Sequence, residues 1–314
     1  MRTWLTDAFS LDVPVVCAPM AGPGEGPLAA AVSAAGGLGM IGVGAARTPA
    51  WVAEHAATAR ATGRSYGIGL MAWALDSRPD LLDAAIAARP ALVSVSFGAF
   101  EPHVRRVKDA GLAVTTQAGS LDEARRAERA GVDLVVARGA EAGGHGRADV
   151  GTLPLLRTVL EHVQVPVLAA GGIAGSSGLA AVLAAGAAGA WVGTAFLGCP
   201  EAATTPGARR ALFAATDTAT AYGRVFDVGS RIPWPPEFGG RALRNTYLDT
   251  WEGRLDELAE DEDAAEQLAR ARAAHDYDVA SIYAGQGVGM LREERPAAAV
   301  LADFARAGEP CPRS

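Results

Sequence analysis

The chain has 314 residues, half of them hydrophobic, which is enough to bury one large core or two ordinary ones. A formal charge of -7 without any basic block excludes a nucleic-acid partner. Cys17, Cys199 and Cys311 are too few and scattered for a disulfide framework, and Met1-Arg2-Thr3-Trp4-Leu5-Thr6-Asp7 carries no long apolar run. Glycines interrupt the longest apolar stretches, so the expectation is a cytoplasmic protein with no membrane span.

Short β-rich runs alternate with alanine-rich helical segments. Strands are expected at 13–18, 38–43, 66–70, 92–96, 113–116, 132–137, 165–170 and 189–192, and helices at 28–35, 49–61, 79–88, 121–130 and 153–163. The strands are continuously apolar, as in a parallel sheet covered on both faces. Eight βα units in this length match an α/β fold of the (β/α)8 TIM-barrel type, with a doubly wound sheet as the alternative. The alternation ends near Cys199-Pro200. From 221 to 254 the chain is irregular and aromatic, and Pro233, Pro235 and Pro236 oppose regular structure. A charged helix is expected over 255–275 and another over 296–307. Residues 1–213 would then form the barrel, and 214–314 an irregular segment and helices covering one face, as packing or as a substrate lid. The acidic helix 256–273 would serve as free surface or as the interface of a homodimer.

Lys108 is the only lysine, on an expected outer helix, so Schiff-base chemistry at a strand end has no amine to use. Gly37-Leu38-Gly39-Met40-Ile41-Gly42 has dinucleotide-binding spacing but runs from a helix into a strand, the reverse of what that fingerprint needs. Ala169-Ala170-Gly171-Gly172-Ile173 and Trp191-Val192-Gly193-Thr194-Ala195 fit better. They end the seventh and eighth strands, where barrel loops and a helix N-terminus commonly hold phosphate, and Gly175-Ser176-Ser177-Gly178 would open and cap that helix. Pro19-Met20, ending the first strand, would form a rigid apolar wall for a flat ring. Among five histidines, His55, His103, His162 and His275 fall on expected helices. Only His145 stands after a strand, in the glycine-rich Arg138-Gly139-Ala140-Glu141-Ala142-Gly143-Gly144-His145-Gly146, where backbone can approach a ligand beside one titratable ring. Glu141 is expected to bond loop amides. No cluster has metal-ligand spacing.

The Glu-Ala-Gly-Gly-His segment, the Ala18-Pro19-Met20 strand end and Ile282-Tyr283-Ala284-Gly285-Gln286-Gly287 together resemble the nitronate monooxygenase family over most of the chain. The resemblance implies an FMN-dependent barrel that oxidises alkyl nitronates, and nitroalkanes by extension, with O2 to a carbonyl compound and nitrite. It implies His145 as the catalytic residue. Ala18, Pro19 and Met20 would contact the isoalloxazine, with Gly143 and Gly144 close to it. Gln117 would meet its pyrimidine edge, Gly171, Gly172, Gly193 and Thr194 would hold the phosphate, and Gln286 would return to the flavin. Gly69, Arg138, Trp191 and Val192 complete the cofactor-binding set. Family positions usually holding asparagine, glutamine and arginine are here Gly69, Arg138 and Gly146, and Arg138 would favour an anionic reduced flavin. The same loops also suit an NAD(P)H-dependent FMN reductase of an enoyl thioester or quinone, or a flavin- or phosphate-binding barrel without turnover. The facing of Cys17 depends on strand register.

Overall fold

In the computed structural model, which describes residues 1–308, eight parallel strands close into a barrel. They are β1 (Val15–Cys17), β2 (Leu38–Gly42), β3 (Tyr66–Met71), β4 (Leu92–Ser96), β5 (Ala113–Ala118), β6 (Leu134–Arg138), β8 (Val167–Ala170) and β9 (Gly189–Val192), with β7 (Gly144–His145) lying outside the barrel. Closure is made by β1 pairing with β9, Val16 opposite Trp191. All eight expected strands are present, which settles the barrel against the doubly wound sheet. Cys311 lies outside the described residues.

Side chains alternate across a strand, so each strand feeds two layers. One layer is the barrel interior, with Val16, Leu38, Met40, Leu92, Leu134, Val136, Leu168 and Trp191 packed on Leu5 and Phe9. Those last two come from the helix Trp4–Phe9, capped by Thr3, which plugs the barrel floor. The other layer packs strands against helices and contains Cys17, Ile41, Val93, Val135 and Val192. Cys17 therefore faces the helices, fully buried, and burial holds its thiol well above the usual range. Two and four places beyond the interior Leu92 and Ala113, and four beyond Leu134, side chains face inward toward the C-terminal mouth, which puts the polar Ser94, Ser96, Thr115, Gln117 and Arg138 there.

Seven crossover helices follow the expected order, among them Gly26–Ala34, Pro49–Arg60, Pro79–Ala87, Leu121–Ala130 and Thr152–His162. The eighth place in the ring is taken by Ala297–Ala305, whose Leu301 and Phe304 are buried with Phe196 in the strand–helix layer. Lys108 pairs with Asp133 at 2.6 Å on the outer surface. Among the described residues, no helix is long and apolar enough to cross a membrane.

The segment after 214 is more regular than expected. Strands β10 (Thr220–Gly223) and β11 (Gly240–Leu243) pair antiparallel, and β11 pairs with β7, making a three-stranded sheet over the mouth. Periodicity missed it because a two-residue strand carries no pattern. The proline-rich stretch between β10 and β11 does stay irregular after the short helix Val225–Gly229. The expected helix 255–275 is two, Leu255–Glu260 and Glu262–Ala274, because Asp261 leaves the helical conformation and its side chain caps the second helix at Ala264 N–H.

Candidate active site

His145 is held from three sides. Its strand, β7, pairs with β11 so that His145 stands opposite Gly240. A side chain at 240 would press on the imidazole and the Tyr283 ring, so the glycine makes room for both. The Trp234 indole stacks on the imidazole at 3.7 Å and 3°, and the Tyr283 ring lies tilted 5.0 Å away. Nε2 of His145 is 2.7 Å from Oδ1 of Asp227, a carboxylate only 2% exposed on the helix Val225–Gly229. The Tyr283 hydroxyl also donates to that oxygen, at 3.4 Å. Burial, and then the Asp227 charge, push the Tyr283 phenol far above its usual range, so it remains a donor.

Arg138 explains the shape of the loop. Its guanidinium is buried and donates to the carbonyls of Ala142, Gly143, Gly144 and Arg147 at 2.9 to 3.3 Å. Burial lowers its pKa to about 10, so it is still cationic at neutral pH. Its donors are thus spent on backbone, and any effect on a bound ring acts through charge across the loop. Arg241 donates to Ala140 O and the Tyr222 hydroxyl to Gly146 O, tying the loop to the sheet above it. Glu141 accepts from the Thr152 backbone N–H and hydroxyl, so it bonds an amide as expected and caps the helix Thr152–His162.

The remaining candidates divide by position. Ala18, Pro19, Met20, Gln117, Gly144, Gly171, Gly193 and Thr194 are half-buried around the mouth. Gly172 is exposed beside them. Pro19 lies where a side chain at Gly69 would stand, which accounts for glycine there. Gly143 packs on Ala284 and Gly285, and Gly285 N–H donates to the Thr194 hydroxyl at 2.9 Å, bringing the Tyr-Ala-Gly-Gln segment to the end of β9. Gln286 begins the turn Gln286–Met290; its side chain is exposed and its N–H bonds Glu141 O. Of the other two expected cofactor positions, the Trp191 side chain is buried in the barrel interior and the Val192 side chain among the helices, so at these two positions it is the backbone at the end of β9 that lies next to Gly193. The expected cap from Ser176 and Ser177 is also absent. The helix Gly175–Ala184 starts after Ala174 with no side-chain cap, leaving its first amides unclaimed by side chains.

Aromatic rings roof the site. Trp234 contacts Trp73 at 5.2 Å and Phe97 at 5.5 Å, and Phe97 contacts Phe238 at 5.7 Å. The Trp73 indole N–H is buried without a partner. A groove of about 430 Å3 lined by Ala215, Leu243, Asn245, Tyr277 and Ile282 shares none of these residues.

Sequence reasoning missed Asp227, Trp234 and Tyr283 as His145 neighbours. Asp227 is 82 positions from His145, and the sheet of β10, β11 and β7 brings the two together.

Comparisons with known proteins agree with this geometry. The family model described as nitronate monooxygenase matches residues 77–306. A nitronate monooxygenase of Paraburkholderia phytofirmans is 32% identical, the alignment covering 85% of this chain and 93% of that one. The structure of FabK from Thermotoga maritima superposes with a TM-score of 0.85 at 30% identity, covering 98% of this chain and 96% of that one. A nitroalkane oxidase from Streptomyces ansochromogenes superposes with a TM-score of 0.81 at 31% identity, covering 97% and 98%. A match across most of its length, through the loop that carries His145, means that the chain belongs to the nitronate monooxygenase family of oxidoreductases.

Proposed function

We propose that this protein is an FMN-dependent enzyme that oxidises a small alkyl nitronate with O2, yielding a carbonyl compound and nitrite. The observation that carries the reading is His145 on bare glycine backbone at the barrel mouth, under an aromatic roof. The residues present suit FMN. Gly171, Gly172, Gly193 and Thr194, with the uncapped amides of the helix Gly175–Ala184, offer donors to a phosphate dianion without any lysine. Ala18, Pro19 and Met20 give a flat apolar wall, and Gln117 at the end of β5 offers an amide to a ring edge. Gly144, whose α-carbon faces open space, lets a planar ring lie against backbone.

A bound flavin would supply the redox chemistry between substrate and oxygen. This chain's residues do the rest. The roof formed by Trp73, Phe97, Trp234 and Phe238 excludes water and strengthens polar contacts beneath it. The unpaired Trp73 N–H offers a donor to a nitronate oxygen. His145 takes the α-proton of a neutral nitroalkane, or orients and neutralises a substrate that arrives as nitronate. The buried cation of Arg138 favours negative charge accumulating above the loop. Residues 1–213 would carry the cofactor and two of the roof rings, Trp73 and Phe97, and the segment after 213 would add Trp234 and Phe238, in a cytoplasmic protein.

The deciding experiment is an anaerobic absorbance titration of the flavin-loaded protein with an alkyl nitronate and, separately, with NADH. Bleaching by nitronate and not by NADH is expected. Bleaching by NADH alone would instead assign a reductase, and failure to bind FMN would remove the cofactor from the reading.

A further inference from the structure

We infer that Asp227 is a positioning residue for His145. Its buried carboxylate fixes the imidazole in the tautomer with hydrogen on Nε2, leaving Nδ1 as the ring atom that meets substrate. The inference rests on the reading that His145 works on substrate, and it adds which nitrogen does so and what selects it.

A carboxylate only accepts hydrogen bonds, so the 2.7 Å contact places hydrogen on Nε2 whether the ring is neutral or charged. Turning the ring over would present carbon to Asp227 and leave a carboxylate at 2% exposure with only the long contact from Tyr283. Trp234, parallel at 3.7 Å, prevents the imidazole from tilting away. The titratable groups packed around the ring are Asp227 and Tyr283. Arg138 below the loop, Arg241 on β11 and Tyr222 on β10 each donate to loop carbonyls. Asp227 is therefore the group that decides the tautomer. In proton abstraction the substrate Cα–H bond breaks, its proton goes to Nδ1 and its electron pair moves into the nitro group. The result is a nitronate beside an imidazolium whose Nε2–H still rests on Asp227, so the new positive charge forms next to a fixed negative one.

The test is a histidine 15N spectrum of the flavin-loaded protein near neutral pH, with His145→Gln identifying the signal. Wild type should show hydrogen on Nε2 and an unprotonated Nδ1. Asp227→Asn, which can donate as well as accept, should give mixed tautomers with flavin content retained. Its kcat for a neutral nitroalkane should fall by about 100-fold, the size of a general-base contribution, and by far more than its kcat for the nitronate. A wild-type signal with hydrogen on Nδ1, or an unchanged tautomer in Asp227→Asn, overturns the inference. The wild-type spectrum decides by itself if the variant does not fold. A tautomer change in a protein that oxidises no nitro compound supports the role of Asp227 and counts against nitronate chemistry.

Discussion

The Arg138 guanidinium occupies the volume that a side chain on Gly146 would need. Gly146 has φ 151°, a region costly for any residue with a Cβ, and its missing side chain lets Arg138 reach the carbonyls of Ala142, Gly143 and Gly144. Two departures from the family pattern thus form one arrangement. A large cation at 138 requires glycine at 146.

Gly146→Ala should accordingly lose about 1–3 kcal/mol of stability through backbone strain and the overlap with Arg138. Adding Arg138→Gln relieves the overlap, so the two losses should be non-additive by about 1 kcal/mol or more in denaturant titrations. Strict additivity would mean that the two positions do not compete for space.

His145→Ala should keep its flavin and lose about 100- to 10,000-fold in kcat, the range for removing a positioned acid or base. The imidazole spends its contacts on Asp227 and Trp234 and lies apart from the glycines proposed to hold the phosphate, so absorbance of the purified variant should match wild type. A variant with both flavin and full turnover would move the chemistry to another residue.

The barrel was legible in the sequence because parallel strands buried on both faces read as unbroken apolar runs, and all eight appear at the expected places. The His145 loop was legible because glycine density marks close backbone approach. The partners of His145 were not. Asp227 sits on a five-residue helix too short for periodicity, and Trp234 sits among prolines. Their place is set by β7, whose two residues become a strand only by pairing with β11. Arg138 was recognised as unusual, but its donors go to carbonyls, which no side-chain pattern encodes.

Stability should fall in alkaline solution. Burial raises the Tyr247 phenol to about 12, the Cys199 thiol to about 12 and the Tyr283 phenol further still. These groups bind their protons more tightly in the folded chain, so their contribution is complete below the unfolded values and is lost as pH rises through the folded ones. The decline should therefore begin near pH 9–10, where unfolded thiols and phenols ionise, and continue past 12. Tyr283→Phe should flatten the urea midpoint against pH between about 10 and 11. An equally steep fall in that variant would assign the loss to other groups.

Gly143 and Gly144 are adjacent and should fail differently when changed to alanine. At 143 a Cβ would overlap the backbone of Ala284 and Gly285, so Gly143→Ala should destabilise the flavin-free protein by about 1–3 kcal/mol through overpacking. At 144 a Cβ would meet open space, leaving only the cost of φ 70° for a residue with a side chain, about 1–2 kcal/mol. If that open space is where the ring lies, Gly144→Ala should weaken FMN by about tenfold or more, equivalent to about 1.4 kcal/mol. Fluorescence titration of the two flavin-free variants with FMN, alongside urea unfolding, separates the effects. Wild-type FMN affinity in Gly144→Ala would place the ring elsewhere in the mouth, because a methyl group in the contact face cannot be accommodated without displacing one partner.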